Sequence, residues 1–135
     1  MDVKNFYLNT PINRPEYVRI KLADIPQELN TKYKLNKLAQ DSWIYFEMRC
    51  GMHGLPQAGI LANNLLRDRL AKFDYYEAAT TPGLWHHKWS PVMFALIVDA
   101  FAMKYVGNAH LDHLHQNLKK YYDVSEELDG TCLPA

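Results

Sequence analysis

The chain has 135 residues, 48% hydrophobic and 13% aromatic, which suits a single packed domain over residues 1–135 and excludes a disordered chain. Fifteen basic and fifteen acidic residues cancel, which excludes the strongly basic surface that nonspecific nucleic-acid binding relies on but leaves room for a local basic groove. No apolar run approaches the roughly 18 residues of a membrane helix and no signal-peptide pattern opens the chain, so a soluble, intracellular protein with no membrane partner is expected.

The first stretch, Asp2-Val-Lys-Asn-Phe-Tyr-Leu-Asn-Thr-Pro11, is short and aromatic, and Asp2 by itself reads as a frayed terminal carboxylate. Glu16 to Leu22 alternates as a strand, with Tyr17, Arg19 and Lys21 on one side and Val18, Ile20 and Leu22 on the other. Ala23 to Gln40 mixes turn residues with Tyr33, Leu35 and Leu38 and suggests a short helix or an irregular excursion. Trp43 to Met48 is a second β-like run, able to pair with the first as an antiparallel ribbon. Gly51 and Gly54 mark a turn, and Pro56 suits the first turn of a helix running to about Phe73. Its inward stripe is expected to be Leu61, Leu65, Leu66, Leu70 and Phe73.

Tyr75 to Pro82 reads as a loop, and Leu84 to Trp89 leads towards two apolar strands, Met93–Val98 and Phe101–Val106. Asp99 lies in the tight turn between those strands. A carboxylate closing such a run costs several kcal/mol if buried unpaired, so it belongs at a rim facing water, a metal or a ligand. Asn108 can cap a helix from about Ala109 to Tyr122, with Leu111, Leu114, Leu118 and Tyr121 or Tyr122 inward. The tail from Asp123 to Ala135 is acidic and broken by Gly130. Strands and helices mix without strict alternation, which points to an α+β fold: an antiparallel sheet with helices packed on one face.

Several groups could carry chemistry. His110 and His113 share a helix face, with His115 and Asp112 nearby, a pattern compatible with zinc; without His at i and i+4 and a third ligand, a helix surface that happens to be His-rich is the favoured reading. His86 and His87 are adjacent, so they point apart in a strand. Cys50 and Cys132 lack metal spacing and read as free thiols, and no base near Cys50 suggests a nucleophile. The remaining set is Asp2, the glycine-rich stretch Gly51-Met-His-Gly-Leu-Pro-Gln-Ala-Gly59, and Asp99 in Phe94-Ala-Leu-Ile-Val-Asp-Ala-Phe-Ala-Met-Lys-Tyr-Val-Gly107.

These three blocks, in this order, resemble the palm region of reverse transcriptases from copia- and gypsy-type LTR retrotransposons. Thr81-Pro-Gly-Leu-Trp85 and His110-Leu-Asp-His-Leu114 are similar to that family too, and the resemblance covers nearly the whole chain, fading after Gly130. It implies an antiparallel palm-type sheet and a partial reverse transcriptase domain whose fingers and thumb lie outside residues 1–135. The activity implied is two-metal nucleotidyl transfer, using divalent cations about 3.5–4 Å apart. By resemblance Asp2 and Asp99 are the catalytic carboxylates and the ligands of Mg2+, with Mn2+ as the alternative ion. Tyr7 matches the aromatic that screens the sugar 2′ position, Gln57 the residue lying against nucleotide and template, and Lys104 a phosphate-proximal cation. The implied partners are an RNA or DNA template-primer, a deoxynucleoside triphosphate and other parts of a polyprotein, in a cytoplasmic particle or the nucleus.

The chain departs from that family at three positions. Ala100 stands where a second Asp follows the first, Ala102 stands where Gly is usual, and His53 replaces a Tyr. Losing a carboxylate together with the positioning parts removes most of such a rate, because the chemistry rests on alignment and charge stabilisation. Catalysis impaired in this copy is therefore expected. The alternative is a non-catalytic nucleic-acid-binding or protein-interaction remnant of the fold.

Overall fold

The computed structural model describes residues 1–125. They form two compact units, one built from residues 1–10 and 51–125, the other from Pro11–Cys50.

The larger unit is a six-stranded antiparallel sheet with helices on one face. Its strands are β1 (Asp2–Lys4), β4 (Tyr75–Glu77), β5 (Leu84–His87), β6 (Val92–Ile97), β7 (Ala100–Tyr105) and β8 (Asp123–Ser125), in spatial order β4-β5-β6-β7-β1-β8. Two helices belong to this unit, α2 (Ala58–Leu70) and α3 (Asn108–Lys119). Alternation along each strand sorts the faces. Val3, Tyr75, Trp85, Val92, Phe94, Phe101 and Val124 point inward and meet Ala62, Leu66, Leu70, Leu114 and Leu118 of the helices in one apolar core. Each such fully buried aliphatic or aromatic side chain contributes about 1.5–3 kcal/mol.

Four expectations are corrected here. The buried stripe of α2 is Ala58, Ala62, Leu66 and Leu70, whereas Leu61 and Leu65 are only half-buried. Two alanines spaced four apart let the helix approach the sheet closely, and leucines one position away fall on its flanks. The stretch from Tyr75 is an edge strand, not wholly a loop, because Tyr75 buries its ring against Phe94 and pairs with His87 across β4–β5. The third helix starts at Asn108, with Gly107 at the cap position and no side-chain cap. Gly107 takes the left-handed φ of +86° that turns the chain out of β7. Finally, Asp123–Ser125 is a strand that buries Val124 beside Val3. Residues 126–135, with Gly130, Cys132 and the acidic tail, lie outside the described residues.

In the smaller unit β2 (Pro11–Lys21) and β3 (Trp43–Cys50) form the antiparallel ribbon expected from the alternation. Its register slips between Pro11 and Glu16, where Pro15 has no N–H for the ladder. The connection holds a short helix, α1 (Gln27–Tyr33), flanked by 3-10 turns at Leu22–Asp24 and Leu35–Lys37. Asp41 and Ser42, both at positive φ, lead tightly into Trp43. Among the described residues, no helix is long and apolar enough to cross a membrane.

Candidate functional site

The carboxylates singled out in the sequence come to one rim of the six-stranded sheet. Strand β1 is only three residues long, but Val3 is 0% exposed and anchors it between β7 and β8. Alternation then puts Asp2 and Lys4 on the opposite, helix-free face. Asp2 stands directly across from Ala100 of β7 and Ser125 of β8, so it is a strand residue and not a frayed terminus. Beside it, the Val3 N–H donates to the Asp99 carbonyl at 3.0 Å. The turn joining β6 to β7 is Val98–Asp99, and both carboxylate-bearing residues are half-buried.

Val98 has φ +62°. A β-branched residue there is a backbone outlier, costing about 1–3 kcal/mol, and such strain is more often found at functional turns than elsewhere. On the β7 side the side chain facing Asp2 is the methyl of Ala100, and on the β8 side that of Ser125, since opposed residues of an antiparallel pair hold their Cβ atoms about 4.5–5.5 Å apart. A divalent magnesium ion takes one or two protein carboxylates and fills its shell with phosphate oxygens and water. Among the described residues, no three His, Cys, Asp or Glu side chains gather closely enough to enclose an ion.

Tyr7 lies in the turn after β1. Its ring is half-buried, 4.8 Å from the His53 ring and 5.5 Å from Phe6, so the imidazole at the departing position 53 packs on the tyrosine. Gly51 makes that turn possible: a Cβ there would come within 2.8 Å of the Tyr7 carbonyl oxygen. Gln57 is half-buried just before α2, its carbonyl accepting the Leu61 N–H at 3.0 Å. Lys104 shares the helix-free face with Ala100 and Ala102 but sits opposite Met93, roughly 13 Å along β7 from Ala100 at the usual rise of a strand. The fold therefore gathers Asp2 and Asp99 at one rim and leaves Lys104 well along the strand.

His113 of α3 serves the fold. The Asn117 amide, oriented by Lys120 donating to its oxygen at 2.8 Å, donates to His113 Nε2 at 3.1 Å. That leaves His113 Nδ1–H to donate to the Tyr75 hydroxyl at 3.0 Å. With both ring nitrogens engaged, His113 is a strap between α3 and β4, not a zinc ligand. Burial pushes the Tyr75 hydroxyl well above its ordinary value. His87, for which the sequence suggested only that it points away from His86, organises the turn before β6: its Nδ1 accepts the Trp89 and Ser90 N–H groups at 3.0 and 2.9 Å. Cys50 is an exposed free thiol.

Sequence reasoning passed over Glu77. Its side chain accepts the Gly83 N–H at 2.6 Å and Asn63 at 3.3 Å, and it pairs with Arg67, tying the turn at residues 78–83 to α2. The signal for it was slight: one carboxylate beside a run of uncharged turn residues. Burial pushes the Glu77 carboxyl up, but Arg67, the Gly83 N–H and Asn63 outweigh burial and hold it below its usual value. His87 is also held low, first by burial and then by the neighbouring His113.

Both shifts make the fold acid-sensitive, in separate windows. The unfolded chain protonates His87 near 6.5 while the folded protein resists, so stability falls as pH drops below that value. Glu77 stabilises fully above 4.5 and loses its contribution as pH falls through its lower folded value. In thermal melts from pH 8 to 5, His87→Gln is expected to show a shallower loss of Tm than wild type. Equal slopes would remove His87 from the account.

No family model and no solved structure matches the chain. It is 27% identical over 128 residues to a Saccharomyces cerevisiae protein named "Putative transposon Ty5-1 protein YCL074W", a match covering 93% of this chain. The chain spans 38% of the length of that relative. What the comparison supports is a distant and partial similarity to a transposon protein.

Proposed function

We propose that this chain is the palm portion of a retrotransposon RNA-directed DNA polymerase, with its carboxylate rim depleted by Ala100. One observation carries the reading. Asp2 and Asp99, from the first and last of the three blocks, lie on hydrogen-bonded neighbouring segments of one sheet rim, beside a strained turn. This adjacency supports the reading, because two carboxylates that hold a divalent ion against phosphate oxygens have to share one rim. Such an ion, when bound, supplies charge neutralisation at the phosphates. The chain's own part is to fix the two carboxylates and to offer the sheet face beside them. The transposon similarity adds support from outside the site.

Ala100 supplies the test. Ala100→Asp would set a carboxylate directly opposite Asp2, where two like charges destabilise the pair unless a cation bridges them. The variant is expected to melt below wild type in chelator, to recover in millimolar Mg2+ or Mn2+, and to bind Mn2+ at least about tenfold more tightly by calorimetry. Asp99→Asn in the same background should abolish that gain. Unchanged Mn2+ affinity in Ala100→Asp would sink the metal-site reading.

A further inference from the structure

The smaller unit leaves a concavity unfilled. Helix α1 buries none of its seven residues, and a helix so short is marginal by itself. Leu29 and Tyr33, four apart and so on one face of α1, are 44% and 57% exposed. Together with Leu38 they wall a cavity of about 730 Å³ over the apolar face of the β2–β3 ribbon, where Ile20, Ile44 and Phe46 line it. Asp24 is the single charged residue in the lining. It is exposed at the lip, and among the described residues it forms no ion pair. The chain around the cavity is pinned at several points. The Leu22 N–H donates to the Ser42 carbonyl at 2.9 Å, and Gln40 and Trp43 exchange backbone hydrogen bonds at 2.9 and 2.8 Å. The Asn36 N–H donates to the Asn30 side-chain oxygen at 3.0 Å, closing the corner after α1. The concavity is therefore preformed, which lowers the cost of binding in it.

We propose that this cavity binds an amphiphilic amine: a small molecule with an apolar body and a protonated amino group that Asp24 receives at the lip. The volume falls within the range of about 300–1,000 Å³ that holds such ligands. The lining selects the chemistry. Aliphatic and aromatic walls take the body, while one unpaired carboxylate attracts a cation and repels a carboxylate or a phosphate. The exposure of Asp24 suits an ammonium group, which keeps much of its hydration there while the body leaves water. The rest of the unit pulls the other way. Residues 11–50 contain seven basic and five acidic side chains, so loose adsorption favours anions. A preference for a cation therefore marks the cavity. A bound ligand would cover Leu29 and Tyr33 and supply the packing that α1 lacks. The site uses neither Asp2 nor Asp99 and does not depend on the polymerase reading.

The test is an NMR titration of the full isotope-labelled chain with decylammonium and with decanoate, matched in length and each kept below its aggregation concentration. Decylammonium is expected to bind at least about threefold more tightly than decanoate, with amide shifts confined to residues 20–46. The Asn30 N–H donates to the Pro26 carbonyl at 3.1 Å, and its hydrogen exchange should slow about tenfold when free decylammonium is about ten times its Kd. Asp24→Asn should erase the preference between the two probes and keep the apolar affinity. Leu29→Asn should weaken both probes at least about fivefold. Both side chains are exposed, so the two variants should melt with wild type. Tighter binding of decanoate, shifts spread beyond the cavity, or a preference that survives Asp24→Asn would overturn the proposal. So would a wild-type dimer that Leu29→Asn dissolves, because a second copy would then fill the cavity.

Discussion

Trp85→Ala is expected to cost about 3–5 kcal/mol, enough to unfold a domain of this size near room temperature or to lower its Tm by well over ten degrees. Trp85 is 0% exposed and stacks on Phe94 with ring centroids 5.6 Å apart and planes inclined by 6°. It is also the register partner of Phe94 across β5–β6, so the two rings fix both the strand pairing and the layer beneath the helices. Removing the indole leaves a void that the surrounding sheet and helices cannot fill without breaking the ladder. Trp85→Phe should be far milder. The indole Nε1 has no hydrogen-bond partner among the described residues, so the smaller ring deletes an unpaired buried N–H along with some volume. Urea melts of the two variants decide the matter. An alanine variant within about 1 kcal/mol of wild type would mean that this layer is not the core.

The second large effect lies closer to the site. Gly51→Ala is expected to destabilise the larger unit by about 3 kcal/mol, at the upper end of overpacking costs, because the new methyl meets backbone rather than a movable side chain. Its Cβ would stand 2.8 Å from the Tyr7 carbonyl oxygen and 3.4 Å from the Ala58 Cβ. The Tyr7 carbonyl cannot withdraw freely, since it accepts the Thr10 N–H at 2.9 Å, and the Gly51 N–H itself donates to the Thr10 carbonyl at 2.8 Å. Shifting that turn moves Tyr7 off His53 and pulls on β1, which carries Asp2. Loss of stability should therefore be accompanied by weakened amide protection at Val3, the donor to Asp99. A Gly51→Ala protein with wild-type stability and protection would show that the turn is free to open.

These two positions were legible in the sequence to different degrees. Gly51 stood out as a turn glycine, but its reason, a carbonyl more than forty positions earlier in the chain, is a tertiary fact. Trp85 looked like part of an approach to the central hairpin, and nothing local marked it as the centre of the core. The hairpin was read within one residue at its turn end, because alternating β-branched and aromatic residues around a two-residue turn permit little else. The ribbon was equally plain, since opposite faces of Glu16–Leu22 already differ in chemistry. Helix α2 was recognised by period, yet its inward line was misplaced: counting leucines favours bulk, whereas the sheet selected the alanines that allow close approach.

Sequence alone determined the α+β class, the hairpin with Asp99 in its turn, the ribbon and both longer helices, because periodicity and turn chemistry act over a few residues. It also ordered the blocks that resemble a reverse transcriptase palm. Tertiary structure decided what no local rule reaches. A three-residue strand such as β1 has too few positions to show a period, and only the burial of Val3 between β7 and β8 turns Asp2 into a rim residue facing Ala100. Likewise His113, His87 and Glu77 acquire their roles from partners distant in the chain. Hydrogen bonds and ion pairs depend on distance in space, and that distance is fixed only when the strands have found their neighbours.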